Sequence, residues 1–114
     1  MARQDPGEPY FRISVEEAKA MVDGGNAVVI DVRRPDEWVT GRVQGATHIP
    51  VDDVAARIDE LPAEGDLLFI CAAGVRSGLA CEMAAAMEID SSRLYNIEEG
   101  TATWIEKGLP YEVG

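Results

Sequence analysis

The chain has 114 residues, 46% hydrophobic and 27% charged, with a formal charge of −11 and a pI near 4.3. That length supports one hydrophobic core rather than two. The acidic balance argues against nucleic acid and anionic membrane surfaces as partners, and no run approaches the ~18 apolar residues of a membrane span.

Residues 1–10 are polar, carry Pro6 and Pro9, and lack the apolar stretch of a signal peptide. They read as a flexible lead-in to a domain over 11–114, with the cytoplasm as its location. Phe11-Arg12-Ile13 reads as a short strand. Ser14 and Glu17 then form an S-x-x-E capping box that opens a helix through Ala18, Met21 and Val22, ending at Gly24-Gly25. Ala27 to Val32 is a β-branched apolar run suited to a strand buried on both faces. Pro35 to Trp38 predicts a helical turn, Gly41 to Gly45 a loop, and Ala46 to Ile49 a brief strand.

Val51 to Leu61 carries Val54, Ala55, Ile58 and Leu61 at helical spacing, with Pro62 just beyond. Leu67 to Ile70 is a short buried strand, followed by a loop and a helix from Ser77, its cap, to about Met87. That helix has an apolar stripe of Leu79, Ala80, Met83, Ala84 and Met87, which reads as core. Arg93 to Ile97 predicts a last strand, and Thr101 to Lys107 a helix closed by Gly108 and Pro110. Strand and helix alternate about five times, which predicts an α/β fold with a mostly parallel sheet covered on both faces.

Chemistry concentrates in Cys71-Ala72-Ala73-Gly74-Val75-Arg76-Ser77, between a buried strand and a helix. Open α/β sheets place their sites there, outside the carboxyl ends of the strands. Gly74 is free to adopt positive φ, and the small neighbours let successive amides converge as an anion-binding nest. The helix that follows adds its positive end, and Arg76 a planar charged fork. A thiol at the centre of such a cradle has a lowered pKa and needs no histidine for activation, which matters because His48 is the only one. Cys71 is therefore the candidate nucleophile, with the loop amides as its electrostatic partner.

The loop also resembles the C-x-x-G-x-R-S active-site loop of rhodanese-type sulfurtransferases. Ile30-Asp31-Val32-Arg33 with Glu37-Trp38 and Gly41 is similar to that family's first signature, and Gly45-Ala46-Thr47-His48-Ile49-Pro50 to its continuation. Asn96-Ile97-Glu98-Glu99-Gly100, with Trp104, Gly108, Leu109 and Pro110, resembles the C-terminal signature. The matches run in order over residues 11 to 112. The resemblance implies a three-layer α/β/α rhodanese-like domain with a central five-stranded, mostly parallel sheet. It implies that Cys71 carries a sulfane sulfur as a persulfide, from thiosulfate or a persulfide donor to cyanide, a small thiol or a protein acceptor. The amides from Ala72 to Ser77 would stabilise the persulfide, and Arg76 would assist donor binding. Two positions depart from the pattern: Arg42 where many members have His, and Glu99 where many have the first Gly of a pair.

Phosphatases and arsenate reductases related to rhodaneses also use a cysteine, an amide cradle and an arginine, but their loop is one residue longer. Four residues separate Cys71 from Arg76 here, which favours a sulfur atom over a tetrahedral phosphate. A non-catalytic interaction module is the other alternative, disfavoured because Cys71, Gly74 and Arg76 are all present. Asp31, Arg33 and Glu37 read as structural residues near the site, with Asp31 bonding loops at the sheet edge and Arg33 pairing with Glu37. His48 reads as a satisfied structural histidine, and Cys81 as a small buried apolar side chain. No metal or cofactor is implied. The expected state is a monomer acting on a small sulfur-containing anion or thiol, with a sulfur-relay protein as a partner; a basic one would suit the acidic surface.

Overall fold

In the computed structural model, which describes residues 2–114, a five-stranded sheet has the order β1-β6-β5-β2-β4, with every pairing parallel. Its strands are β1 (Phe11–Ile13), β2 (Ala27–Asp31), β4 (Thr47–His48), β5 (Asp66–Ile70) and β6 (Leu94–Ile97). A second, two-stranded antiparallel sheet joins β3 (Arg42–Val43) to β7 (Tyr111–Glu112), pairing a segment expected as loop with the C-terminal end. The helices are α1 (Val15–Asp23), α2 (Pro35–Trp38), α3 (Val75–Ala86) and α4 (Gly100–Glu106).

The central strands alternate their side chains between two cores. On β5, Leu67 and Phe69 join Ile30, Ala80, Cys81, Ala84 and Leu94 on one face. Leu68 and Ile70 join Ile13, Val15, Ala18, Ile97 and Trp104 on the other. Both faces of the sheet are therefore apolar, as the unbroken run from Leu67 to Ile70 requires. Cys81 is fully buried in the first core as a free thiol.

The Ser14–Glu17 capping box forms in full, with the Ser14 hydroxyl accepting from the Glu17 amide and the Glu17 carboxylate accepting from the Ser14 amide. One helix expectation gives way. Val51 to Leu61 is not a single α-helix but two 3-10 turns, Val51–Asp53 and Ile58–Glu60. Of its apolar residues Val54 and Leu61 are buried, Val51 and Ile58 are partly buried against the same core, and Ala55 is exposed. Asp52, Asp53 and Asp59 lower its helix propensity. Ahead of β1, Arg3 bridges Arg12 through the backbone and pairs with Glu98, and Tyr10 is buried. Among the described residues no helix is long and apolar enough to cross a membrane.

Candidate active site

The strand β5 lies in the middle of the sheet and ends at Ile70, so Cys71 emerges between two neighbouring strands. The turn that follows is shorter than the sequence suggests. Its helix begins at Val75, with Gly74 as N-cap in the left-handed region at φ 90°. Ser77 is therefore not the cap; it lies within the first turn of α3, and its hydroxyl turns inward to the site. A glycine is required at position 74, because a Cβ there would also stand 2.6 Å from the Glu98 carbonyl oxygen.

Cys71 is 1% exposed. Its Sγ accepts the Gly74 amide at 3.1 Å and lies 3.3 Å from the Ser77 hydroxyl. Burial pushes the thiol up, but the Ser77 hydroxyl and the amides of Ser77, Ala73 and Gly74 together outweigh it, and the net displacement is downward. Cys81, by contrast, is pushed well up by burial and by the nearby Glu82 and Glu8 charges. Of the two thiols only Cys71 has a hydroxyl and backbone amides around it and a pKa displaced downward.

The corner between β6 and α4 holds the loop from behind. Thr101 donates both its amide and its hydroxyl to the Cys71 carbonyl, at 3.0 and 3.2 Å. Gly100, at φ 85°, lets the two backbones touch: a Cβ there would be 1.9 Å from the Ala72 carbonyl oxygen. Asn96 is fully buried on β6, donates to the Gly74 carbonyl at 3.0 Å and accepts from Ser77 at 2.6 Å. Sequence reasoning did not single out Asn96, Gly100 or Thr101 individually. A polar Asn inside the apolar strand Leu94–Ile97 is the signal that marks the first.

Arg76 lies half-buried beside the loop, and its guanidinium grips the Glu37 carboxylate through two bonds of 2.6 and 2.9 Å. That pair, rather than the expected Arg33–Glu37 pair, joins α2 to α3. Its consequence is mutual: Arg76 holds Glu37 down to about 2, and Glu37 raises Arg76 further. Arg33 pairs instead with the fully buried Asp31, at 2.8 to 3.1 Å, and donates to the carbonyls of Gly41 and Glu37. Asp31 ends an interior strand rather than the sheet edge, and bonds Arg33 through both side chain and backbone amide. These two residues are a buried brace for the 31–41 segment.

His48 donates from Nε2 to the Arg33 carbonyl at 2.7 Å and stacks on Trp38, ring centroids 4.5 Å apart. It is a satisfied structural residue. Arg42 lies over the same Trp38 ring at 4.6 Å and donates to the Gly114 carbonyl. Glu99 does not face the cysteine loop; its carboxylate accepts the Val15 amide at 2.7 Å, at the start of α1. Ala72, Ala73 and Val75 are exposed around the loop, Val75 by 80%. Beside Ala72, a shallow cavity of about 200 Å³ is lined by Arg33, Gly41, Thr101 and Ile105 among others. Among the described residues no group of three or more His, Cys, Asp or Glu side chains is placed to hold a metal.

The chain is similar to known proteins over most of its length. The chain is 29% identical over 93 residues to a protein named Sulfurtransferase from Allochromatium vinosum, covering 82% of this chain and 85% of that one. It is 35% identical over 97 residues to Thiosulfate sulfurtransferase GlpE of Pseudomonas entomophila, covering 83% and 84%. Two further relatives are longer, and the chain spans 47% and 51% of them. The crystal structure of a rhodanese-related protein from Thermoplasma volcanium superposes with a TM-score of 0.78 at 25% identity, covering 90% of this chain and 98% of that one. Residues 14–107 match the family described as Rhodanese-like domain. With that match spanning most of the chain, and with the cysteine loop at the end of its central strand, the protein belongs to the rhodanese-like domain family.

Proposed function

We propose that the protein is a sulfurtransferase that carries a sulfane sulfur as a persulfide on Cys71. The observation that carries this reading is the closeness of the loop to a single sulfur atom. The Gly74 amide reaches Sγ at 3.1 Å, and only four residues separate Cys71 from Arg76. In the first half-reaction the Cys71 thiolate attacks the outer sulfur of thiosulfate, the S–S bond breaks, and sulfite leaves with the electron pair. In the second, a nucleophile such as cyanide, a small thiol or a protein thiolate attacks the outer persulfide sulfur, and the Cys71 thiolate leaves. The first step leaves the negative charge on the outer persulfide sulfur and the second returns it to Sγ, both beside the cysteine loop, where preorganised amides and the start of α3 stabilise it.

Arg76 assists the donor from the loop's side. Its fork is shared with Glu37, so an anionic donor meets a partly neutralised arginine and depends chiefly on the backbone amides. The names of the relatives support sulfur transfer as the chemistry, and the net charge of −11 supports a basic protein as the relay partner. The test is thiocyanate formation from thiosulfate and cyanide. Wild type turns over and Cys71→Ala does not. Turnover of an aryl phosphate that is lost in Cys71→Ser, with no thiocyanate formed, overturns the reading in favour of a phosphatase.

A further inference from the structure

Ser77 stands between two groups that compete for one hydrogen. Its Oγ lies 2.6 Å from Asn96 Oδ1 and 3.3 Å from Cys71 Sγ, and all three side chains are buried. A serine hydroxyl has a single hydrogen to donate. Asn96 is oriented from its other end, because its Nδ2 donates to the Gly74 carbonyl at 3.0 Å. That leaves Oδ1, an acceptor only, facing Ser77. The shorter contact takes the Ser77 hydrogen.

With Cys71 as a thiol the chain is complete: S–H donates to Oγ, and O–H donates to Oδ1. Loss of the thiol proton to solvent leaves the chain one hydrogen short. Either the thiolate faces a serine lone pair at 3.3 Å, or the hydroxyl turns to sulfur, which is the contact that favours the thiolate, and Oδ1 then loses its donor in a buried setting. Asn96 thereby opposes part of what Ser77 contributes. A persulfide escapes this conflict. Its inner sulfur is bonded to carbon and sulfur, and the charge sits on the outer atom, away from Ser77.

We propose that Asn96 is a positioning residue that, by holding the Ser77 hydrogen, disfavours the bare Cys71 thiolate and biases the site toward the protonated or sulfur-loaded cysteine. The sulfur-loaded half rests on the sulfur-transfer reading; the protonation half does not. The charged groups around Cys71 are already committed to other partners. Arg76 of α3 holds Glu37 of α2, Asp31 of β2 holds Arg33, and Glu98 after β6 pairs with Arg3 and Arg12. His48 of β4 donates to the Arg33 carbonyl. Substitution at Asn96 removes none of these pairs; it also releases the Gly74 carbonyl, and the Ser77→Ala background separates that effect from the effect on the hydroxyl.

The test is a pH titration of thiolate ultraviolet absorbance, with the Cys71→Ser signal subtracted. It is run on wild type, Asn96→Leu, Ser77→Ala and the double variant, with Asn96→Ala replacing the leucine should that variant fail to melt cooperatively. Asn96→Leu is expected to lower the Cys71 midpoint by about one pH unit, roughly tenfold more thiolate below the midpoint. In the Ser77→Ala background the same change is expected to do nothing. No shift or an upward shift in the wild-type background, or equal shifts in both backgrounds, overturns the proposal. Above the midpoint, in a fixed thiosulfate–sulfite mixture, the equilibrium between persulfide and thiolate is expected to fall about tenfold in Asn96→Leu. An unchanged equilibrium overturns the sulfur-loaded half. Absence of sulfur uptake by wild type itself removes that half together with the sulfur-transfer reading, while the titration still decides the role of Asn96.

Discussion

Adding a single carbon at Gly100 would set it 1.9 Å from the Ala72 carbonyl oxygen, in a residue already at φ 85°. No side-chain rotation relieves that contact, because the obstacle is backbone. Gly100→Ala is therefore expected to cost about 2–4 kcal/mol in denaturant unfolding and to weaken thiocyanate formation by moving the loop. An unchanged unfolding midpoint would mean that the two backbones are not packed as described. The loop residues from Cys71 to Ser77 were legible in the sequence because they are contiguous and chemically distinctive. Their supports were not. Thr101 reaches the Cys71 carbonyl from 30 positions away, and Glu37 reaches Arg76 across 39. Such partners depend on which strands lie side by side, which local pattern does not encode.

At the scale of elements, α1 shows how far capping can be read. The Ser14–Glu17 box was visible as a spacing and forms as such. The carboxylate of Glu99, which takes up the Val15 amide at 2.7 Å, was not visible, because it arrives from the end of β6. Replacing it, Glu99→Ala, is expected to destabilise the fold by about 0.5–1 kcal/mol through the lost cap. The KM for thiosulfate is expected to stay unchanged, since the side chain points to α1. A marked fall in KM, with stability unaltered, would instead assign Glu99 to repelling donors at the rim. The start of α3 was misplaced for a related reason. Ser77 is a good capping residue by type, but its hydroxyl is engaged by Asn96 and faces Cys71, and Gly74 makes the turn instead.

Across the whole molecule, the alternation of strand and helix was enough to give the parallel sheet with both faces covered, because apolar runs such as Leu67–Ile70 have no other stable place. The β3–β7 ribbon escaped notice because two-residue strands carry almost no periodicity. An acidic chain of this composition also depends on its paired carboxylates. Arg76 holds Glu37 at about 2 and Arg12 holds Glu8 at about 2, against an ordinary value of 4.5. Each such pair stabilises the fold fully above about pH 4.5 and loses that contribution as the pH falls toward 2. The melting temperature of Glu37→Gln should therefore lie below wild type near neutral pH, and the difference should shrink on acidification. A gap that stays constant down to pH 2 would mean that the pair contributes nothing through ionisation.

The assignment of Cys71 as a sulfur carrier is tested most directly by intact mass after incubation with thiosulfate. Wild type is expected to gain one sulfur atom, located by peptide mapping at Cys71, and Cys71→Ala to gain none. A gain at Cys81, or no gain with thiosulfate or any other sulfane donor, would contradict the assignment.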